Sequence, residues 1–221
     1  MEFIDVMKNR RSIRRFKSDT ISRDIFDGIL KDALWAPSWG NTQPWEIAVL
    51  GPDIIKKISN EFVENVTNGK PIDPDLEMPD SWPPKHKRRY VDVGRALFTT
   101  IGIERTDKEA RFNHYLNMYK FFEAPHMIYV YQDKGISSHY GPFDLGALTN
   151  NICLLAYERG LGTCILASSA HYPDVIRKHT NISKDKLIII GIAIGYPDEN
   201  DPSYTFRSDR DESVISWHGV S

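Results

Sequence analysis

The stretch that most constrains this chain is Ala33-Leu34-Trp35-Ala36-Pro37-Ser38-Trp39-Gly40-Asn41-Thr42-Gln43-Pro44-Trp45. A helical pattern ends where it starts, and an extended pattern begins where it stops. Pro37 and Pro44 steer the residues before them away from the helical region. Gly40 and Asn41 tolerate left-handed backbone angles that most residues avoid. Between the prolines lie Ser38, Asn41, Thr42 and Gln43, flanked by the indoles of Trp35, Trp39 and Trp45. Flat apolar walls with a few fixed donors and acceptors suit a planar heteroaromatic ligand. A plain helix-to-strand connection with a hydrophobic clamp has the same composition, and the stretch alone does not choose between the two.

A second stretch shifts the balance. Arg10 to Phe16 packs four arginines and one hydroxyl into seven positions. A phosphate needs forked guanidinium donors together with a hydroxyl or a backbone N–H. Short basic runs are also the ordinary makeup of a solvated surface or a nucleic-acid patch. The whole chain carries a net charge of -2, which speaks against a nucleic-acid footprint.

At 221 residues, 41% hydrophobic and 26% charged, the chain suits one substantial soluble domain. The two cysteines, Cys153 and Cys164, fit no metal or redox spacing and read as buried apolar residues in a reducing compartment. No apolar run approaches the roughly 20 residues of a membrane span, and Met1 to Asp5 carries no signal-peptide pattern. A cytoplasmic protein is expected.

Helices are expected over Phe3–Asn9, with Phe3, Ile4 and Met7 on one face, and from Ser22 to about Trp35. Ile21 and Phe26 have staple spacing around the Ser22 cap. A strand over Glu46–Leu50 is followed by a helix from about Asp53. Residues 69–87 contain five prolines and cannot form one regular element. They are a candidate lid, since a connection this long is usually functional or mobile. Further helices are expected over Tyr90–Gly102, Asp107–Phe122, Phe143–Glu158 and Pro173–His179. Strands are expected over His126–Tyr131, Thr163–Ala167 and Leu187–Ile194. The helix at Phe143 is apolar nearly all round, which places it in the core or at a subunit interface. The tail, residues 198–221, is polar and ends in Val214, Ile215 and Trp217, which could add a final strand or pack on a partner chain. This alternation predicts one mixed α/β sheet covered on both faces. The seven histidines are scattered, with no ligand spacing. No nucleophile elbow, P-loop or dinucleotide fingerprint appears. A pocket without its own reactive group fits a protein whose cofactor does the chemistry.

Arg10-Arg11-Ser12-Ile13-Arg14-Arg15-Phe16, followed about two dozen residues later by Ala36-Pro37-Ser38-Trp39-Gly40-Asn41-Thr42-Gln43-Pro44-Trp45, resembles the FMN-dependent nitroreductase family. The resemblance covers nearly the whole chain. It implies a single nitroreductase-like α/β (α+β) domain over residues 1–221, in an intertwined homodimer. It implies FMN as cofactor, NADH or NADPH as donor, and a nitroaromatic, quinone or similar small acceptor reduced by a ping-pong hydride mechanism. By the same resemblance Arg10, Arg11, Ser12 and Arg14 stand where phosphate and ring contacts come from; Arg10 and Ser12 would hold the phosphate and Arg14 would approach the pyrimidine edge of the flavin. Pro37, Ser38 and Asn41 would line the flavin from the second subunit. Ile165, Leu166 and Ala167 would meet the ring near N5 through their backbone. Arg207 or Arg210, with Arg210 favoured, would complete the phosphate site. The lid would cover the substrate side, and the tail would cross to the partner. The chain departs from the family at Arg210-Asp211-Glu212-Ser213, where a basic-proline pattern is common. Gln43 stands where iodotyrosine deiodinases carry Glu. Reductive dehalogenation and non-enzymatic flavin binding are the alternatives.

Overall fold

Two nearly continuous apolar runs make the middle of the sheet. The computed structural model describes residues 1–220; Ser221, the last residue of the expected crossing tail, lies outside the described residues. β2 (His126–Asp133) and β4 (Lys186–Gly195) pair antiparallel. β1 (Glu46–Leu50) and β3 (Gly162–Leu166) flank them, giving the order β1-β2-β4-β3. Side chains on a strand alternate between faces, and both faces of β2 are buried. Met127 and Tyr129 join one core, Ile128 and Val130 the other. The register slips after Val130↔Ile190 to Tyr131↔Ile188, which leaves Ile189 as a bulge. Every ladder is antiparallel. The mixed character of the sheet rests on one isolated parallel bridge, Ser12↔Thr163.

The helices are α1 (Phe3–Asn9), α2 (Arg23–Ala33), α3 (Pro52–Thr67), α4 (Pro84–Thr100), α5 (Lys108–Tyr119), α6 (Tyr140–Glu158) and α7 (Pro173–His179). α2 and α6 cover one face of the sheet; α3, α5 and α7 cover the other. Ser22 caps α2 by accepting the Ile25 N–H at 3.5 Å, and the staple residues Ile21 and Phe26 are buried. α1 forms as expected, but only Val6 enters the core, and Phe3, Ile4 and Met7 face solvent.

Two expected helix boundaries move for a local reason. α4 starts at Pro84, ahead of Tyr90, because proline is well placed in a first turn where its missing N–H has no partner to lose. α5 stops at Tyr119. Phe121, Phe122 and Glu123 then adopt φ of 53°, 54° and 59°. A left-handed turn of ordinary residues costs about 1–2 kcal/mol each. Burying both phenylalanine rings returns about 1.5–3 kcal/mol each, and the reversed hand delivers the chain into β2. Among the described residues the tail forms no strand and contains short 3-10 turns at Pro202–Thr205 and Glu212–Val214.

The candidate lid is pinned at its base. Tyr172 donates its hydroxyl to the Lys70 carbonyl at 3.0 Å, and Asp73 N–H donates to the His171 carbonyl at 3.0 Å. Asp75 pairs with Arg177 at 2.5 Å and accepts the Ile188 N–H at 2.8 Å. Residues 77–82 have no comparable anchor and are mostly exposed.

His126 ties β2 to two neighbours. Its Nε2 accepts the Ile21 N–H at 3.0 Å, so its proton sits on Nδ1, which donates to the Leu50 carbonyl at 3.3 Å. Burial holds its pKa below the ordinary value, and pushes His114 and His171 the same way. A group with a depressed folded pKa takes its proton more readily unfolded, so stability falls as pH drops below about 6.5. Urea midpoints measured from about pH 7 downward are expected to decline, and His126→Gln, which cannot titrate, to flatten part of that slope.

Candidate active site

β3 is an edge strand, and the arginine segment docks on its outer side. The Ile13 N–H donates to the Thr163 carbonyl at 2.9 Å, next to the Ser12↔Thr163 bridge. Ile13 is buried, and a Cβ on Gly162 would sit 2.6 Å from Ile13 Cγ1. Glycine is therefore required there. Phe16, also buried, holds the far end of the segment through a bridge to Pro197. Ile13 and Phe16 are buried, while Arg10, Ser12 and Arg14 stay half-buried.

Arg10, Ser12 and Arg14 all lie near enough to Cys164 on β3 to act on its thiol. Burial pushes the Cys164 thiol up to about 11, while the charges of Arg14 and Arg10 and a hydrogen bond with Ser12 pull it back. Burial also raises Cys153, with Arg10 again opposing. Both thiols are unpaired and buried, as expected of inert apolar residues. Arg14 donates to the Ser12 carbonyl at 3.2 Å and lies 5.6 Å from the Phe206 ring centre. Arg10 makes no hydrogen bond to the protein among the described residues, so its guanidinium has full donor capacity.

The remaining arginines divide by task. Arg11 donates to the Tyr204 carbonyl at 2.9 Å and stacks 4.1 Å over its ring. It thus straps the tail to the segment. Arg15 pairs with Glu123 at 2.5 Å. Arg207 donates to the Asn9 carbonyl at 2.6 Å, which places it at the Arg10 end of the cluster. Arg210 bonds its own turn, at Ser208 and Asp209. The preference for Arg210 over Arg207 is not matched by this placement.

Beyond the arginines, Ile165 and Ala167 are exposed at the end of β3 and Leu166 is buried. The Pro37–Asn41 segment stands apart from this cluster, with no hydrogen bond or ring contact joining the two among the described residues. Pro37 and Asn41 are exposed, and Ser38 accepts the Gln43 N–H at 3.0 Å. Gly40, Asn41 and Gln43 take positive φ. Of the three indoles, only Trp45 is buried; Trp35 is 89% exposed.

Two contributors were not anticipated. Asp144, buried near the start of α6, accepts the Trp39 N–H at 3.1 Å and fixes the turn at Trp39. A single acid at the start of an otherwise apolar helix was its available signal. Tyr204 and Phe206 supply the faces beneath Arg11 and Arg14, and their alternation after Pro202 was the hint.

A profile of the nitroreductase family matches residues 7–196. The chain belongs to the nitroreductase family. Over 210 residues it is 29% identical to the 4-nitrobenzoate reductase of Pseudomonas putida, covering 95% of this chain and 92% of that one. It is 28% identical over 202 residues to the nitrobenzene nitroreductase of Ectopseudomonas oleovorans, covering 90% and 88%. The crystal structure of the FMN and NADPH-dependent nitroreductase NfnB from Sphigopyxis sp. strain HMH superimposes with a TM-score of 0.94 at 27% identity, over all of both chains. The mixed α/β architecture is thus the nitroreductase fold. Among the described residues no helix is long and apolar enough to cross a membrane, and no cluster of potential metal ligands occurs.

Gly162→Ala is expected to destabilise the protein by about 1–3 kcal/mol by overpacking against Ile13. In urea melts the cost shrinks in the Ile13→Ala background, because the clashing atom is then absent.

Proposed function

We propose that this nitroreductase-family chain holds FMN, takes electrons from NADH or NADPH, and reduces nitroaromatic, quinone or similar electron-poor acceptors. The observation that carries the reading is the docking of the Arg10–Phe16 segment on the edge strand β3, with Arg207 held at the Asn9 carbonyl beside its start. The relatives' names support it: a 4-nitrobenzoate reductase, a nitrobenzene nitroreductase and an FMN and NADPH-dependent NfnB.

The donor set fits a flavin nucleotide. Arg10, Ser12 and Arg207 would hold the phosphate, with forked donors and a hydroxyl. Each charge-assisted bond contributes about 1.5–3 kcal/mol. Arg14, steadied by the Ser12 carbonyl and the Phe206 face, would set a fixed cation at the ring's pyrimidine edge, favouring negative charge there. The backbone at Ile165–Ala167 would meet the ring near N5. When bound, the flavin passes a hydride from the nicotinamide to the acceptor, chemistry that no side chain here supplies. Arg11 would act mainly by strapping the tail that carries Phe206 and Arg207.

Pro37, Ser38 and Asn41 stand apart from this cluster, which supports a site completed by a second copy. Phe3, Ile4, Met7, Trp35, Phe143 and Trp217 are all exposed. Large exposed apolar side chains are what a subunit interface would cover. We read the protein as a homodimer in which Pro37, Ser38 and Asn41 line the flavin bound by the partner. Residues 1–221 act as one domain. Residues 77–87, not the anchored base at 70–76, would serve as the cover over the acceptor.

The test is the visible spectrum of purified protein under anaerobic NADH or NADPH. Flavin bands that bleach support the reading. Bands that persist point to a binder, and no bands even after adding FMN overturn it. Parallel double-reciprocal plots are expected for one stacking site used twice; intersecting lines count against it. Arg10→Ala is expected to weaken flavin binding about tenfold or more with an unchanged melting temperature. Arg11→Ala is expected to lower the melting temperature instead. Sizing with flavin bound should return a dimer.

A further inference from the structure

α6 holds Trp39 at two points. The first is the backbone, where the buried Asp144 carboxylate accepts the Trp39 N–H at 3.1 Å. The second is the side chain. Tyr140 lies one turn before Asp144, and residues four apart on a helix share a face. Its ring meets the Trp39 ring edge to face, with centres 4.0 Å apart and planes at 85°. Such pairs are favoured beyond the area they bury. Two backbone bonds close the turn itself: the Asn41 N–H donates to the Ser38 carbonyl at 3.1 Å, and the Thr42 N–H to the Trp39 carbonyl at 3.0 Å.

A ring held in this way is what a core packing residue looks like, yet Trp39 is 59% exposed and Tyr140 51%. Trp45, in the same stretch, shows the other outcome: it is buried in the core beside α2 and α6. Trp39 therefore spends its fixed position on a flat apolar face that stays open. That face stands between Ser38 and Asn41, two of the residues assigned to the partner's flavin. A preorganised aromatic surface beside a ring-binding site lowers the ordering cost of a stacked ligand.

We propose that Trp39, steadied by Tyr140, is the stacking face for the aromatic ring of an acceptor bound at the partner's flavin, and that it makes the site selective for ring acceptors over compact ones that cannot stack. The proposal rests on the flavin reading and on the assignment of Pro37, Ser38 and Asn41 to the partner's site. Trp39 touches the acceptor. Tyr140 is a positioning residue that acts through the indole. Neither side chain gives or takes a proton or an electron; both contribute binding alone. An aromatic pair is worth about tenfold in affinity, and a compact anion such as ferricyanide gains nothing from it.

The bland role for Trp39 is to pack on the partner as ordinary interface, and two measurements separate the roles. The first is titration of flavin-loaded protein with benzoate, a ring that cannot be reduced, followed in the flavin spectrum. Trp39→Ala is expected to raise the benzoate Kd about tenfold while sizing still returns a dimer, and Trp39→Phe to recover most of the loss. Tyr140→Ala is expected to raise it by a smaller factor, and to add nothing in the Trp39→Ala background. Tyr140→Phe, which keeps the ring, should match the wild type. The second is the ratio of kcat/KM for nitrobenzene to that for ferricyanide, which should fall about tenfold in Trp39→Ala through KM. Benzoate that does not bind the wild type, a Kd or a ratio that Trp39→Ala leaves unchanged, or a Trp39→Ala protein that returns as a monomer overturns the proposal. A wild type that holds no flavin instead removes the reading beneath the proposal, and the proposal with it.

Discussion

The docking of Ile13 onto the edge of β3 is the contact on which the candidate site depends. One backbone bond to Thr163 and one buried side chain over Gly162 fix the position of Arg10, Ser12 and Arg14. Without that seat the segment is a solvated basic run. With it, Arg10, Ser12 and Arg14 are held beside the edge strand, and the tail follows. Tyr204 lies under Arg11, Phe206 under Arg14, and Arg207 reaches back to Asn9. A tail with little secondary structure is ordered by arginines that it in turn orders. The two halves of the site are therefore linked in energy.

The opposite core face shows how strain and packing sit side by side. The left-handed turn at Phe121–Glu123 is unfavourable locally, and two buried phenylalanines offset it. Glu123 at its end pairs with Arg15 of the arginine segment. α5 leads into this turn and carries Tyr115 and Tyr119. The helix that ends in strain thus also presents the polar row that meets His171. Buried polar rows of this kind need every member matched, since a low-dielectric interior magnifies both the bond and its absence.

The long irregular connection behaves differently at its two ends. Asp75 is held by Arg177 and by the Ile188 N–H, both well inside the protein. A carboxylate removed from water needs such partners. That requirement fixes the segment's base and leaves only its later part as a candidate cover. Charge and proline content showed that the stretch was not one regular element. They did not show which part was anchored, because the partners of Asp75 lie about a hundred residues away along the chain.

Sequence pattern alone set the strands, most of the helices and the two-faced burial of β4, because a side chain's face follows from its position in a repeat and an unbroken apolar run leaves neither face for solvent. Local chemistry set the Ser22 cap and the left-handed angles at Gly40 and Asn41. The arginine and indole-proline motifs together were enough to name the family. Tertiary structure decided the rest. It ended α5 at Tyr119, since only the demand to bury Phe121 and Phe122 explains a left-handed turn there. It gave Arg11 to Tyr204 and put Arg207, not Arg210, beside Asn9. It buried Asp144 beneath Trp39 and brought Tyr119 to His171. These outcomes depend on pairs of groups far apart in the chain, whose meeting is set by packing and not by any repeat within a single segment.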